Sequence, residues 1–257
     1  MLIDSHVHIG QFNDRYFSAE EISNLMTSCG VEAYMVSSTS VCGGDVLRSL
    51  EDIKQIISID KDKVIPCLWV IESMLDDLDV YLGQLDWRCV KIHPLVYPSQ
   101  WKPESPELHY LADSCQRYGL PLLIHTGYDS VSSASRYRKE IASYPSVNFI
   151  LAHGRPFKEA KEMLQTFPNT YIDTSFMEIE DIANLCSVGL GKRILWGSDA
   201  PIPLLYYENL TLDKYTTSRL NLLKSKMVSE DYNAITSRTA HNILSKLIQQ
   251  PIAKTIL

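Results

Sequence analysis

Five of the seven histidines and one aspartate fall at the ends of short apolar runs. His6 and His8 close Ile3-Asp4-Ser5-His6-Val7-His8, where the two-residue period of a strand puts both imidazoles on one face. His93, His125 and His153 end three later runs, and Asp199 ends Ile194-Leu195-Trp196-Gly197-Ser198-Asp199. Neutral imidazoles together with a carboxylate suit Zn2+ or another borderline divalent ion. An ion held by such donors lowers the pKa of bound water toward neutrality and directs hydroxide at a carbonyl. Each part alone is weak, because a single His-x-His pair or a lone histidine at a strand end is more often a hydrogen-bonded structural residue. The set as a whole carries the expectation.

These residues need a frame that brings distant strand ends together. Eight β-branched or apolar runs punctuate the chain: Leu2–Val7, Glu32–Ser37, Val64–Val70, Cys89–His93, Leu120–His125, Asn148–His153, Thr170–Ser175 and Arg193–Ser198. Their centres lie about 20 to 33 residues apart, the length of one strand–loop–helix unit. Between them, Ala19–Cys29, Asp45–Ile59, Met74–Leu85, Glu107–Tyr118, Tyr137–Tyr144, Lys158–Phe167 and Glu178–Val188 show helical periodicity, several closed by Gly30, Gly83, Gly119 or Pro168. This alternation predicts an α/β fold, a (β/α)8 TIM barrel forming one domain over residues 1–257. An open doubly wound sheet is the competing architecture. The barrel is favoured because its first and eighth strands are neighbours, which would place His6, His8 and Asp199 together with His125 across the mouth. Pro201–Tyr207 reads as a loop, and C-terminal helices are expected at Asp213–Lys226 and Glu230–Gln249, with Ser229 as N-cap.

The strings Ile3-Asp4-Ser5-His6-Val7-His8, Val90-Lys91-Ile92-His93-Pro94, Leu123-Ile124-His125-Thr126-Gly127, Leu151-Ala152-His153-Gly154 and Gly197-Ser198-Asp199-Ala200-Pro201 resemble the amidohydrolase superfamily. The closer likeness is to its amidohydrolase 2 branch, which includes aminocarboxymuconate-semialdehyde-decarboxylase-like enzymes. The resemblance runs from residue 3 to about residue 201. It implies a metal-dependent hydrolase acting on a C–N or C–O bond of a small, anionic molecule, such as an amide, lactone or ester. The alternative is a metal-dependent non-oxidative decarboxylase. By position it implies His6, His8, His125 and Asp199 as metal ligands. Asp199 would also take a proton from the attacking water, and His153 would be catalytic beside the metal.

Lys91 shares strand parity with His93, and three readings of it stay open. A free ammonium would bind a substrate anion together with His93 and Arg155. A carbamylated Lys91 would instead bridge two metals. A purely structural Lys91 would pair with a core carboxylate such as Asp173. The expected cofactor is one zinc ion, with manganese or a second metal as the variants. Tyr97, Trp101, Tyr128 and Phe176 follow strand ends and are candidate substrate walls, while His109 and His241 fall on expected helices and read as surface residues.

Composition bounds the remaining choices. The 257 residues carry 24 Lys and Arg against 31 Asp and Glu, a net charge of −7, which argues against nucleic-acid binding. The longest nearly apolar run, Val64–Ile71, is far below the roughly 20 residues that span a bilayer, so no membrane partner is expected. The six cysteines form no Cys-x-x-Cys pair and are expected to be reduced. With neither a basic nor a long apolar N-terminal stretch, the expected location is the cytoplasm and the expected partner a small-molecule substrate. Homo-oligomerisation stays open.

Overall fold

A computed structural model describes residues 1–96, 101–207 and 209–244. Nine strands form one curled sheet: β1 (Ile3–Phe12), β2 (Arg15–Phe17), β3 (Ala33–Ser38), β4 (Val64–Trp69), β5 (Cys89–Ile92), β6 (Leu122–His125), β7 (Phe149–Ala152), β8 (Thr170–Asp173) and β9 (Ile194–Leu195). Their order is β2-β1-β3-β4-β5-β6-β7-β8-β9, with every pairing parallel except the β1–β2 hairpin. Backbone hydrogen bonds join β1 to the segment that follows β9: Ser5 N–H to Trp196 O at 2.8 Å, His8 N–H to Ala200 O at 2.7 Å, and Asp199 N–H to His6 O at 2.9 Å.

Helices follow the strands as the periodicity requires: α1 (Ala19–Ser28), α2 (Val46–Ile59), α3 (Leu78–Leu82), α4 (Pro106–Tyr118), α5 (Arg138–Ser143), α6 (Phe157–Thr166) and α7 (Ile179–Ser187). Local chemistry sets their ends. Ser18, Asp45 and Ser105 accept hydrogen bonds from the first-turn N–H groups of Glu21, Arg48 and Leu108. Gly119 ends α4 in the left-handed region at φ +65°.

Buried apolar residues fall into two layers. The larger lies between sheet and helices and includes Val36, Val90, Ile92, Leu122, Ile124 and Leu151. The smaller fills the space the sheet curls around, with Ile3, Met35, Cys67, Cys89, Leu123, Ile150 and Leu195 from seven strands. Alternate residues of one strand supply the two layers, as the pleat demands. All six cysteines are free thiols. No described helix is long and apolar enough to cross a membrane.

The structure departs from the sequence expectations in particular places. The segment expected as a helix over Met74–Leu85 is a 3-10 turn (Glu72–Asp77) followed by the short α3. Asp76, Asp77 and Asp79 are weak helix formers. The stretch Pro201–Tyr207 contains a short helix, α8 (Pro203–Tyr206). After α9 (Leu212–Lys226), the expected Glu230–Gln249 helix is broken into α10 (Ser229–Asn233), a π-turn (Ala234–Arg238) and α11 (Thr239–Leu244), and residues 245–249 lie outside the described residues. Val228 rather than Ser229 is the N-cap of α10. Within the π-turn the Ile235 carbonyl accepts from Trp196 N–H at 2.8 Å. That bond also explains why β9 stops at Leu195.

Candidate metal centre and active site

The pleat of β1 sends His6 and His8 to the inner face, and a register shift between Asp4 and Val7 lets the strand stay paired around them. Asp4 Oδ1 accepts from His6 N–H at 3.1 Å and Ser198 N–H at 3.0 Å, tying β1 to the segment that carries Asp199. As a result Asp199 Oδ1 lies 3.3 Å from His6 Nε2 and 3.1 Å from His8 Nε2. One ligand atom from each of His6, His8 and Asp199 fits within 4.8 Å, and so does one from each of His6, His153 and Asp173.

The far nitrogens are engaged. His6 Nδ1 meets Asp173 Oδ2 at 2.9 Å, and His8 Nδ1 meets the Ser37 carbonyl at 3.3 Å and Ser37 Oγ at 3.2 Å. Donation from those Nδ1 atoms leaves both Nε2 lone pairs bare and facing a carboxylate oxygen. Three electron-rich atoms held this close repel unless a cation or an N–H donor sits among them. Lys91 supplies the donor here, with Nζ 2.8 Å from His6 Nε2 and 3.0 Å from His8 Nε2. The donor set therefore fits a divalent ion by its own chemistry.

Lys91 is buried, and its ammonium lies 4.3 Å from the centre of the Trp69 ring. It does not make the direct pair with Asp173 that one sequence reading proposed; Asp173 pairs with His6 instead. His125 Nδ1 faces His153 Nε2 at 3.1 Å, so among the described groups it meets the cluster through His153. His93 stacks on His125 with ring centres 3.6 Å apart, and its Nδ1 accepts from Leu95 N–H at 3.2 Å.

Burial sets the charge of the cluster. It pushes the pKa of His8 and His153 well below the ordinary range, and that of His6 down with help from the Lys91 charge. For His125, burial followed by Lys91 and His6 brings the value to about 3. The imidazoles are therefore neutral at pH 7, the form that binds metal. Burial lowers Lys91 and raises Asp199, in each case against opposite charges nearby. Burial alone would raise Asp173, but the His6 contact and the hydrogen bonds from His6 and Ser175 outweigh it and hold that carboxyl below its usual value.

His153 and Asp199 both have φ in the left-handed region, at +67° and +59°, as does Phe176 at +55°. Such backbone costs on the order of 1–3 kcal/mol per residue and persists only where surroundings enforce it. Here the His153 N–H bond to Asp173 Oδ1 (3.3 Å) and the Asp199 N–H bond to His6 O provide that constraint.

The cluster opens into a cavity of about 720 Å3 whose lining includes Lys91, His93, His125, His153, Arg155 and Asp199. Arg155 lies near two aromatic rings, its guanidinium carbon 5.4 Å from the centre of Tyr128 and 5.7 Å from that of Phe176. It is thus a cavity residue and makes no ion pair among the described contacts. Of the expected walls, Phe176 lines the cavity, Tyr128 is largely exposed and Trp101 is buried. Tyr97 lies outside the described residues. His241 is exposed and His109 half-buried against Tyr144.

Sequence reasoning missed Trp69, Ser37, Ser175 and the hairpin residues Gln11, Phe12 and Asn13, which also line or buttress the cavity. Strand parity could have found Trp69 and Ser37, because each sits near the C-terminal end of its strand. Nothing in the sequence marks the hairpin as a wall.

A family model described as "Amidohydrolase" (Amidohydro_2) matches residues 3–220. Among solved structures, an uncharacterised TIM-barrel protein from Bordetella bronchiseptica is 16% identical with a TM-score of 0.74, the match covering 95% of this chain and 98% of that one. A probable 2-pyrone-4,6-dicarboxylic acid hydrolase from Acinetobacter baumannii, with citric acid bound, is 10% identical with a TM-score of 0.74 and the same coverage. A 2,6-dihydroxybenzoate decarboxylase bound to 2,6-dihydroxybenzoate is 12% identical with a TM-score of 0.68, again covering 95% and 98%. No curated protein sequence matches significantly. The solved structures share the fold, and the match over residues 3–220 shows that the chain belongs to the amidohydrolase family.

Proposed function

We propose that the protein is a metal-dependent hydrolase that cleaves a C–N or C–O bond, as in an amide, lactone or ester, of a small anionic molecule. The single observation that carries this reading is that two bare imidazole nitrogens, His6 Nε2 and His8 Nε2, each lie within 3.3 Å of the Asp199 carboxylate. His6, His8 and Asp199 would hold one divalent ion, with His125 as a further ligand and zinc as the first choice for these donors. When bound, the ion would act as a Lewis acid and make water nucleophilic at neutral pH.

This chain's own residues supply the rest. Asp199 faces both the cluster and the cavity, so its carboxylate is placed to accept the proton of an attacking water. His153 lines the cavity beside the cluster, which places its ring next to the reacting group. Lys91, His93 and Arg155 line the same cavity and would hold a substrate anion, Arg155 through a planar guanidinium that lies beside two aromatic rings. A cavity of about 720 Å3 suits a small molecule. The architecture is read as a single (β/α)8 barrel domain over residues 1–257.

A second reading rests on the same residues. Non-oxidative decarboxylation needs a carboxylate held beside the cluster, and the anion set of Lys91, His93 and Arg155 supports it as well as hydrolysis. The folds of a hydrolase and a decarboxylase both resemble this chain. The deciding experiment is a product analysis in water labelled with 18O. Label in a new carboxylate supports hydrolysis, whereas released CO2 without label in the organic product supports decarboxylation.

Metal content separates the two readings of Lys91. One ion per chain agrees with a free amine and two with a carbamylated bridge. Replacing Lys91 with Met keeps the first ratio and lowers the second, while a wild-type ratio near zero would remove the proposal.

A further inference from the structure

Asp173 and Ser175 lie behind the imidazoles, fully buried, at the end of β8. We infer that this pair fixes which ring nitrogen of His153 and of His6 carries the proton, making both positioning residues for the proposed chemistry. The argument is a count of donors. Asp173 Oδ1 receives two backbone N–H groups, Ser175 at 2.9 Å and His153 at 3.3 Å. Backbone N–H groups only donate, so Oδ1 acts as an acceptor.

Ser175 Oγ contacts the same oxygen closely. With Oδ1 fixed as acceptor, the single hydroxyl proton of Ser175 must lie in that contact, or two lone pairs would face each other. Ser175 Oγ then has only lone pairs to offer His153 Nδ1, 2.8 Å away. His153 therefore carries its proton on Nδ1, and Nε2 is bare toward the cavity and His125. The other carboxylate oxygen does the same for His6. Asp173 Oδ2 lies 2.9 Å from His6 Nδ1, nearer than Ser175 Oγ at 3.4 Å, and accepts the hydrogen bond from Nδ1–H. One buried carboxylate thus presets two imidazoles, one directly and one through a hydroxyl.

Any effect on turnover rests on the proposed function, but the tautomers do not. The test is therefore spectroscopic. Two-bond 1H–15N correlation of the histidine rings is recorded on the full-length chain freed of metal by chelation. His153 and His6 are expected in the Nδ1–H form; either one in the Nε2–H form overturns the inference, and this needs no variant. Ser175→Ala should release His153 into a mixture of tautomers with His6 unchanged, and Ser175→Thr should restore it. An unchanged His153 in Ser175→Ala would overturn the role of Ser175.

Asp173→Asn is the sharper variant. The two backbone N–H groups keep the amide oxygen at the Oδ1 position, so the amide nitrogen faces His6 and donates. His6 should then switch to Nε2–H while His153 stays Nδ1–H. Zn2+ alone, titrated into the same chain, should bind 10- to 100-fold more weakly because His6 Nε2 is no longer bare. Unaltered zinc affinity with an unaltered His6 tautomer would overturn the role of Asp173. Should the protein prove neither hydrolase nor decarboxylase, the tautomer result stands independently.

Discussion

Two ends of one interior differ in kind. At the lower end Ile3, Met35, Cys67, Cys89, Leu123, Ile150 and Leu195 pack against one another and against Ala240, Ile243 and Leu244 of the C-terminal helix α11. At the upper end the same strands carry His6, His8, Lys91 and His125, and Asp173 closes β8. On β6 the two regimes are two residues apart, Leu123 below and His125 above. The lower layer gains from apolar burial with no partner to satisfy. The upper layer loses solvation and recovers it only through a nearly complete set of hydrogen bonds. Stability should therefore reside below and chemistry above, although both layers are buried and share strands.

The largest expected effect breaks the upper end. Asp199→Ala should lower kcat/KM by roughly 10³-fold, within the range for loss of a general base, measured by steady-state kinetics on the substrate that the product analysis identifies. Its melting temperature should change far less than its activity.

Next comes the pair on β6. Leu123→Ala should cost about 3 kcal/mol through the cavity it leaves, lowering the melting temperature by roughly 6–12 °C while the folded protein keeps its turnover. His125→Ala should show the reverse, a turnover loss of about 10²-fold with a shift of less than about 3 °C. Equal stability losses for the two variants would erase the distinction between the ends.

Arg155→Lys tests the rim. The fork is lost but the charge is kept, so KM for an anionic substrate should rise about tenfold, a change of about 1.4 kcal/mol, with kcat little altered. The smallest effect is expected outside both ends. Lys192 and Glu230 form a 2.8 Å pair with side chains 71% and 59% exposed, and Lys192→Ala should shift stability by less than about 0.5 kcal/mol by thermal unfolding.

Legibility of the sequence divides along similar lines. The βα alternation, the inner face of β1 and the clustering of histidines at strand ends follow from a two-residue and a 3.6-residue period, both local. The end of β9 did not follow, because Trp196 N–H turns to the carbonyl of Ile235, 39 residues away in a turn that periodicity reads as plain helix. The direct partner of Lys91 did not follow either. Parity put it on the inner face, but only the packed strands decide between two imidazoles and the Asp173 carboxylate.

By itself the sequence determined the donor types, the strands that carry or precede them and the shared face of His6 and His8, because residue identity and backbone period are properties of neighbours along the chain. Only the tertiary structure decided that His6 and His8 meet Asp199, that His125 faces His153, and that Asp173 and Ser175 stand behind both rings. Those contacts join residues up to 193 positions apart, and their distances depend on how the sheet curls and how its first and last parallel strands meet.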